Sequence, residues 1–467
     1  MLTLLIYALA LAVRLPGLFA PLWYDEIFSW WLTRLPAAEM AAAIAGDVHP
    51  PLFYYTLLFG AEPWQMRLLP LACSLAGLWV TMDLARWYFP APSHGPRWVG
   101  LIYAISPFEV FYATELRMYA ALQLVMLLML SAIFVRRYWH AGAFGLLGVL
   151  LHHYGFIYVA AWGAVALYFE SGFLRLAGQT LRGSVLATGK ALAPLGLAMV
   201  ALPFTGLLTQ SQTVAAGYWM WPPTLADVLL LPGELLFSAP FGHAGLSALT
   251  IIGGVGALAV ARGRLSTWPW LLAPAVLAFV VSWAWQPIFQ HRPLVALAPL
   301  FYIALVAGFD KISQRRTKLF MAVVAAPMVL AALLLPNTRD HYLSRLQAPA
   351  ILAAIGPLAP GATIYHTALY SRVEFEPFTP GVNNIIYPPP PGLGDGYSPQ
   401  TRAALGIVEA RPEDLTQPPD VVVIYRGVSY SPSAETAARH WVAAQSYRLI
   451  YTNTESETSQ VWVFKIK

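Results

Sequence analysis

Charge is scarce in this chain of 467 residues: Asp, Glu, Lys and Arg together make up 11%, against roughly a quarter of an ordinary soluble domain. With 58% hydrophobic residues, that scarcity excludes a plain soluble globule and points to a polytopic membrane protein. Cysteine is nearly absent. The single Cys73 lies in an apolar run, so neither an intramolecular disulfide nor a cysteine-based metal site can form. The net charge of +5 gathers into no basic stripe, so nothing indicates a nucleic-acid partner. A convincing internal repeat is also missing, as is any H-x-x-x-H or comparably dense ligand spacing.

What the chain does have is a series of apolar runs near the ~20 residues that cross a bilayer. They centre on residues 2 to 22, 66 to 86, 98 to 114, 118 to 135, 141 to 155, 156 to 170, 190 to 208, 244 to 261, 268 to 285, 292 to 309 and 319 to 336. The expected architecture is therefore mainly α, a transmembrane bundle of about 11 spans over residues 1 to 336. From Asn337 the composition turns polar, with strand-like runs such as DVVVIYRGV (420 to 428) and SQVWVFKIK (459 to 467) between Pro and Gly clusters. Residues 337 to 467 are expected to form a soluble α/β domain. The first run lacks a positive n-region and would be cut to a very short apolar core, so it is expected to stay as a span rather than be cleaved.

If the spans alternate, every second connection carries the bases: Arg86 and Arg97, Arg136 and Arg137, Arg175 to Lys190, Arg262 and Arg264, and Lys311 to Lys318. The positive-inside rule makes those loops cytoplasmic. The opposite loops hold the acids, among them Asp25, Glu26, Asp47, Glu109, Glu115, Asp227 and Glu234. Acids hardly influence orientation, so their segregation asks for another cause, and an acidic site on the outer face supplies one. The loop from about 23 to 65 and the C-terminal domain then share the external, periplasmic side of a cytoplasmic membrane. Within that loop Trp23, Ile27, Phe28, Trp30, Trp31 and Leu35 follow roughly helical spacing, as in an amphipathic helix lying at the membrane surface.

Polar clusters recur on this side: RLPGLFAPLWYDE (14 to 26), GDVHPPLFYY (46 to 55), ATELRMYA (113 to 120), LLHHYGF (150 to 156) and QHRPLVALAPL (290 to 300). Each has a plain structural reading. Asp25 and Glu26 suit the first turn of a helix, the prolines of HPP rigidify a turn, and Glu115 can pair with Arg117 or Arg67. Ionisable groups near membrane depth nevertheless usually face a cavity or one another, and several such clusters on one face are harder to set aside.

In their order, these segments resemble the successive signatures of the GT-C glycosyltransferases, closest to the bacterial branch with protein O-mannosyltransferase-like enzymes and lipid A aminoarabinose transferases. The resemblance runs through the membrane domain. It implies transfer of a sugar from a polyprenyl-phosphate donor to an acceptor hydroxyl of a lipid, glycan or protein, by inverting displacement at the external face. Asp25 matches the family's catalytic acid position and is the expected general base, with Glu26 beside it. Arg117, Arg292 and Arg67 are the expected holders of the donor phosphate, with Arg14 a weaker candidate. Asp47, His49, Glu115, Tyr119, His153, Tyr154 and His291 are expected to touch substrate. No cofactor is certain: His49 could join acids around a divalent metal, as in some members of the family.

A function of another class stays open, a transporter or lipid flippase whose Arg and Glu residues line a path. The polar clusters gather at one face instead of mid-span, which favours the transferase. The C-terminal domain is expected to shape acceptor access.

Overall fold

The computed structural model describes residues 1 to 89, 91 to 176, 189, 193 to 207, 210, 222 to 237, 268 to 310, 348 to 389, 397 to 427, 431 to 453 and 460 to 467. The expected spans at 244 to 261 and 319 to 336 lie outside these residues, as does most of the run YPPPPGLGDGY (387 to 397), whose Pro and Gly content reads as a loop. The chain divides into two compact units. One is drawn from the described parts of Met1–Ala20, His49–Leu207 and Met220–Pro336, the other from those of Pro21–Val48, Leu208–Trp219 and Asn337–Lys467.

The first unit is helical. Leu2–Leu18, Leu68–Tyr88, Gly95–Ile105, Pro107–Ala113, Tyr119–Phe134, Tyr138–Leu151, Tyr154–Leu176, Trp268–Ala284 and Leu297–Asp310 are its principal helices. Among the described residues only Pro63–Tyr88 is both long and apolar enough to cross a bilayer, and the other apolar helices are shorter. About eleven full spans were expected, and the described helices do not establish that number. Local chemistry accounts for part of the shortening. The run expected at 98 to 114 is two helices, because Pro107 has no N–H and forces Ser106 out of the helical region, to φ −58° and ψ 123°. Pro107 then starts the next helix, where its missing donor costs nothing. The runs at 141 to 155 and 156 to 170 meet at His152, which is extended at φ −159° and ψ 140°.

Polar groups cross this apolar interior in one connected set. Arg14, fully buried, donates to the carbonyls of Ala104 (2.7 Å), Ala10 (3.0 Å) and Tyr103 (3.2 Å) and to Ser74 Oγ (3.2 Å). Tyr103 donates to Gln123 Oε1 at 2.7 Å, and Gln123 Nε2 donates to Glu109 Oε1 (2.9 Å) and to the carbonyl of Val295 (3.0 Å). Buried polar groups are tolerable when satisfied in this way, and together they tie the first helix to the segment before Leu297. Arg14 thereby has structural work at both ends of its guanidinium.

The second unit is an α/β layer. Its sheet has the strands β1 (Thr363–His366), β2 (Asn383–Ile386), β3 (Val408–Glu409), β4 (Val421–Arg426), β5 (Tyr447–Asn453) and β6 (Gln460–Ile466), in the order β3-β2-β1-β4-β6-β5. The first four neighbours are parallel, and β6 runs antiparallel to both β4 and β5. β4 reads VVVIYR and is buried at every residue but the last, as a strand covered on both faces must be. Val421, Val423 and Tyr425 face one core with Ile351, Ile355 and Phe375, while Val422 and Ile424 face the other with Tyr365 and Ala438. Ser431 starts the helix Pro432–Ala444 by accepting from Ala434 N at 3.3 Å.

Burial pushes the His366 imidazole, fully enclosed at the end of β1, down to about 3. Its ring lies between Ser371 Oγ and Asn384 Oδ1, each at 3.2 Å. Below about pH 6.5 the unfolded chain binds a proton there that the folded chain refuses, so this contribution to stability is full above 6.5 and falls as pH falls toward 3. The expected slope is roughly 1.4 kcal/mol per pH unit in that window. Acid unfolding of the full chain followed by circular dichroism should therefore be steeper in the wild type than in His366→Asn. Equal slopes would remove His366 as the cause.

Candidate functional site

Asp25, Glu26 and Asp47 of the outer loop lie in the second unit. Leu32, Ile27, Phe28 and Trp31 are buried along the helix Tyr24–Leu32, and its packing partners are protein side chains of that unit. Phe28 sits 5.0 Å from Tyr397, and the Arg372 guanidinium lies 4.7 Å from the ring of Trp31. The spacing that suggested a helix flat on the membrane serves here to cover protein, since an apolar face suits either surface. Asp25 and Glu26, adjacent in sequence, have different surroundings. Glu26 is fully buried and accepts from the backbone N–H of Trp23 at 3.3 Å, which satisfies a donor of the first turn. Asp25 is half-buried, so its carboxylate is the more accessible of the two.

A second helix, Ala37–Ala45, carries the chain to Asp47, which is buried. Gly46 is required there. A Cβ at that position would stand 2.3 Å from Ser398 Oγ and 2.7 Å from Thr401 Oγ1, and Thr401 Oγ1 donates to the carbonyl of Ala43 at 3.0 Å. Burial raises the Tyr397 phenol well above its ordinary range, and the charges of Asp25 and Asp47 add to the effect. Asp25 and Asp47 thus both act on one tyrosine.

The cations lie in the helical unit. Arg117, nearly buried, places Nη2 at 3.2 and 3.3 Å from the two ring nitrogens of His49, and Nη1 donates to the Tyr54 hydroxyl at 3.4 Å. The His152 ring is 5.2 Å from His49, 5.9 Å from Tyr119 and 5.7 Å from Tyr154. Sequence reasoning favoured His153 among substrate-touching residues, but the ring between His49, Tyr119 and Tyr154 is that of His152. The helix break at His152 sets its direction, and its Nδ1 accepts from Tyr154 N at 3.0 Å. Tyr54 was part of the HPPLFYY signature, and its contact with Arg117 needed the tertiary structure to be seen. Glu115 is fully buried in the turn before Arg117.

The glycine of HHYGF packs at the same break. A Cβ on Gly155 would meet Val149 N at 2.4 Å and Gly148 C at 2.5 Å, both backbone atoms that cannot swing aside. Gly155→Ala is expected to destabilise the protein by about 1 to 3 kcal/mol, checked by the thermal midpoint in detergent.

His291 and Arg292 stand on a non-helical segment held from several sides. Tyr154 donates to the carbonyl of Ile288, Tyr158 to that of Pro293 at 3.1 Å, and Ser282 Oγ accepts from Ile288 N (3.0 Å) and Phe289 N (2.8 Å). His291 Nδ1 faces Glu234 Oε2 at 3.4 Å. Burial, followed by the Arg292 charge, holds His291 down to about 3, so this contact is made by a neutral imidazole. Glu234 was not among the expected site residues, and only its place among the external acids pointed to it.

Arg67, also expected to hold phosphate, already has backbone partners. It is fully buried and donates to the carbonyls of Leu18 (3.0 Å) and Ala20, the end of the first helix. A cation on unsatisfied C-terminal carbonyls is a favourable cap. Among the described residues no three His, Cys, Asp or Glu side chains come together in a group fit to hold a metal ion.

No protein-family model matches the chain, and no curated protein matches it. Solved structures do. ArnT from Cupriavidus metallidurans in the apo state has a TM-score of 0.60 at 16% identity, covering 99% of this chain and 97% of that one. The same protein bound to undecaprenyl phosphate gives 0.60 at 15%, with 99% and 97% covered. The Archaeoglobus fulgidus oligosaccharyltransferase in the apo form gives 0.50 at 13%, covering 97% of this chain and 72% of that chain. Identities this low speak for fold alone. Both proteins are of the GT-C type, and along nearly its whole length this chain has the GT-C fold that its sequence signatures resemble.

Proposed function

We propose that the protein is a glycosyltransferase that moves a sugar from a polyprenyl-phosphate donor to an acceptor hydroxyl at the external face of the cytoplasmic membrane. The observation that carries this reading is the fold likeness along 99% of the chain to a protein solved with undecaprenyl phosphate. A polyprenyl tail gains about 0.8 kcal/mol per buried CH₂, so its donor stays in the bilayer and the enzyme has to work where the headgroup emerges. The bases gathered in alternate connections, with Asp25, Glu26 and Asp47 in one of the opposite ones, support the same side for the reaction.

In this reading the acceptor hydroxyl attacks the anomeric carbon. The new C–O bond forms as the bond to the donor phosphate breaks, the acceptor proton passes to Asp25, and the polyprenyl phosphate leaves with the electron pair of the broken bond. Direct displacement inverts the anomeric centre. Asp25 is preferred over Glu26 because Glu26 is enclosed and already accepts from Trp23 N. A phosphate leaves without a strong acid, in contrast to glycoside hydrolysis. Its growing charge calls for guanidinium, and Arg117 and Arg292 fill that role better than Arg67, whose donors reach Leu18 and Ala20. Asp47, His49, Glu115, Tyr119, His153, Tyr154 and His291 are proposed to bind the sugar or the acceptor, and His152 joins them on its ring contacts. The membrane-embedded domain is taken as residues 1 to 336 and the periplasmic one as 337 to 467.

The test is transfer of radiolabelled sugar from a panel of polyprenyl-phosphate sugars, pentoses and hexoses, by membranes that contain the protein. Transfer above control membranes is expected from at least one donor, and that donor names the sugar. Movement of a polyprenyl lipid across vesicles, with no transfer from any donor, would replace this reading by the flippase one.

A further inference from the structure

In the parallel part of the sheet, β1 is followed on one side by β2 and then β3, while β4 lies on its other side. The order therefore reverses between β1 and β4. In open α/β sheets such a reversal leaves a crevice at the C-terminal strand ends, and ligands bind in it. Three tyrosines stack at this point. Tyr370, in the helix Leu369–Phe375 that follows β1, lies 5.3 Å from Tyr425 at the end of β4, with the ring planes 7° apart. On Tyr370 stacks Tyr24, at 4.7 Å and 8°.

Tyr24 immediately precedes Asp25. One and two turns further along its helix, Phe28 meets Tyr397 at 5.0 Å and Trp31 meets the Arg372 guanidinium at 4.7 Å. Positions 24, 28 and 31 share one helix face. Arg372 is itself held, with Nε donating to the carbonyl of Asn384 at 3.3 Å and Nη2 3.5 Å from Glu376 Oε2. The crevice that a free-standing α/β domain would offer to a ligand is filled here by the outer-loop helix. Successive residues of a helix are about 100° apart. Seating Tyr24 in the crevice therefore turns Asp25 off that face, and it stays half-buried while Glu26 is enclosed.

We propose that the switch-point crevice of the C-terminal sheet is a socket for the helix Tyr24–Leu32, and that Tyr370 and Arg372 are positioning residues that aim Asp25 in the transfer reaction. The role rests on the reading of Asp25 as the base. It gives the C-terminal domain a part in catalysis without contact with the reacting atoms. Tyr370 and Arg372 act through Tyr24 and Trp31, so they govern how often the carboxylate stands in line and not how well donor binds.

The experiment uses the full chain in detergent with the donor that the wild type transfers, and compares Tyr370→Leu, Tyr370→Phe and Arg372→Met. Hydrogen exchange of the amides of residues 27 to 32 and of β1 and β4 is followed beside kcat and the donor KM. In Tyr370→Leu the helix amides are expected to exchange about tenfold faster or more while the strands keep their protection. At the same time kcat should fall about tenfold or more with donor KM within about twofold. Tyr370→Phe retains the ring and should restore both, which a hydroxyl-dependent role would not allow. Unchanged exchange in Tyr370→Leu and Arg372→Met would overturn the socket. Faster exchange with unchanged kcat would overturn the positioning role. If Tyr370→Leu also loses strand protection, Trp31→Leu on the helix side carries the same comparison. Asp25→Asn measured in parallel separates the two ideas: full transfer by that variant removes the base and the aiming role together, while the exchange data still report whether the helix is seated.

Discussion

Replacing Asp25 with Asn is expected to lower transfer by about 10²-fold or more while the protein stays folded. The side chains are nearly the same size, and Asn can still accept a hydrogen bond, but it cannot take the proton that the acceptor hydroxyl must lose. A 10²-fold loss corresponds to about 2.7 kcal/mol of transition-state stabilisation. The competing explanation is structural: Asp25 lies in the first turn of the helix Tyr24–Leu32, where a negative charge contributes about 0.3 to 1 kcal/mol against the helix dipole. That is too small to account for the predicted loss, and it would appear as a lower thermal midpoint instead of a lower kcat. Glu26→Gln is the internal control. Its carboxylate accepts from Trp23 N, a duty the Gln carbonyl oxygen can perform, so transfer within a few-fold of wild type is expected. The measurement is radiolabelled sugar transfer under saturating donor together with the thermal midpoint. Equal transfer by wild type and Asp25→Asn would take Asp25 out of the base role, and equal losses in both variants would assign the role to the pair.

The second large effect is expected at Arg117. Truncation to Ala should reduce kcat by roughly 10² to 10³, the usual result of removing one preorganised donor from a developing charge. Lys should recover only part of this, because an ammonium supplies charge without the planar fork that holds two phosphate oxygens. The neighbours sharpen the expectation. Arg117 reaches Tyr54 through Nη1 and the His49 ring through Nη2, so the guanidinium is held at a set angle before any phosphate arrives. Tyr54→Phe removes one restraint and keeps the charge, and should cost much less than Arg117→Ala. A loss confined to donor KM in Arg117→Ala would mean that the residue binds ground state and transition state alike. A fall in thermal midpoint with kcat intact would make it a packing residue. Either result would move the leaving-group role toward Arg292.

Legibility in the sequence varied with the range of the physics involved. The strand-like runs at 420 to 428 and 459 to 467 lie where β4 and β6 form, because a buried strand needs a local run of β-branched and aromatic residues. The signatures from RLPGLFAPLWYDE to QHRPLVALAPL resemble the fold that the comparisons then find. Helix ends were less legible. The break at Ser106 follows from Pro107, a local rule that a hydropathy window averages away, and the break at His152 has no such sequence mark. Within the site, adjacency in sequence hides differences in surroundings: Asp25 is half-buried while Glu26 is enclosed, and of the two neighbouring histidines it is His152 whose ring lies beside His49, Tyr119 and Tyr154.

By itself, then, the sequence determined an apolar helical chain with a polar α/β tail, the gathering of bases in alternate connections, and the short signatures that hold Asp25, Arg117 and Arg292. These depend on composition and on neighbours within a few residues, which any folded form of the chain must respect. Only the tertiary structure decided that Glu26 caps a helix, that Arg67 covers the end of the first helix, and that Tyr24 and Trp31 belong with Tyr370 and Arg372, more than three hundred residues away along the chain. Such pairings are set by which surfaces meet once the helices and the sheet exist. An aromatic face at helical spacing is the same sequence pattern whether it meets lipid or another ring, and packing alone selects between them.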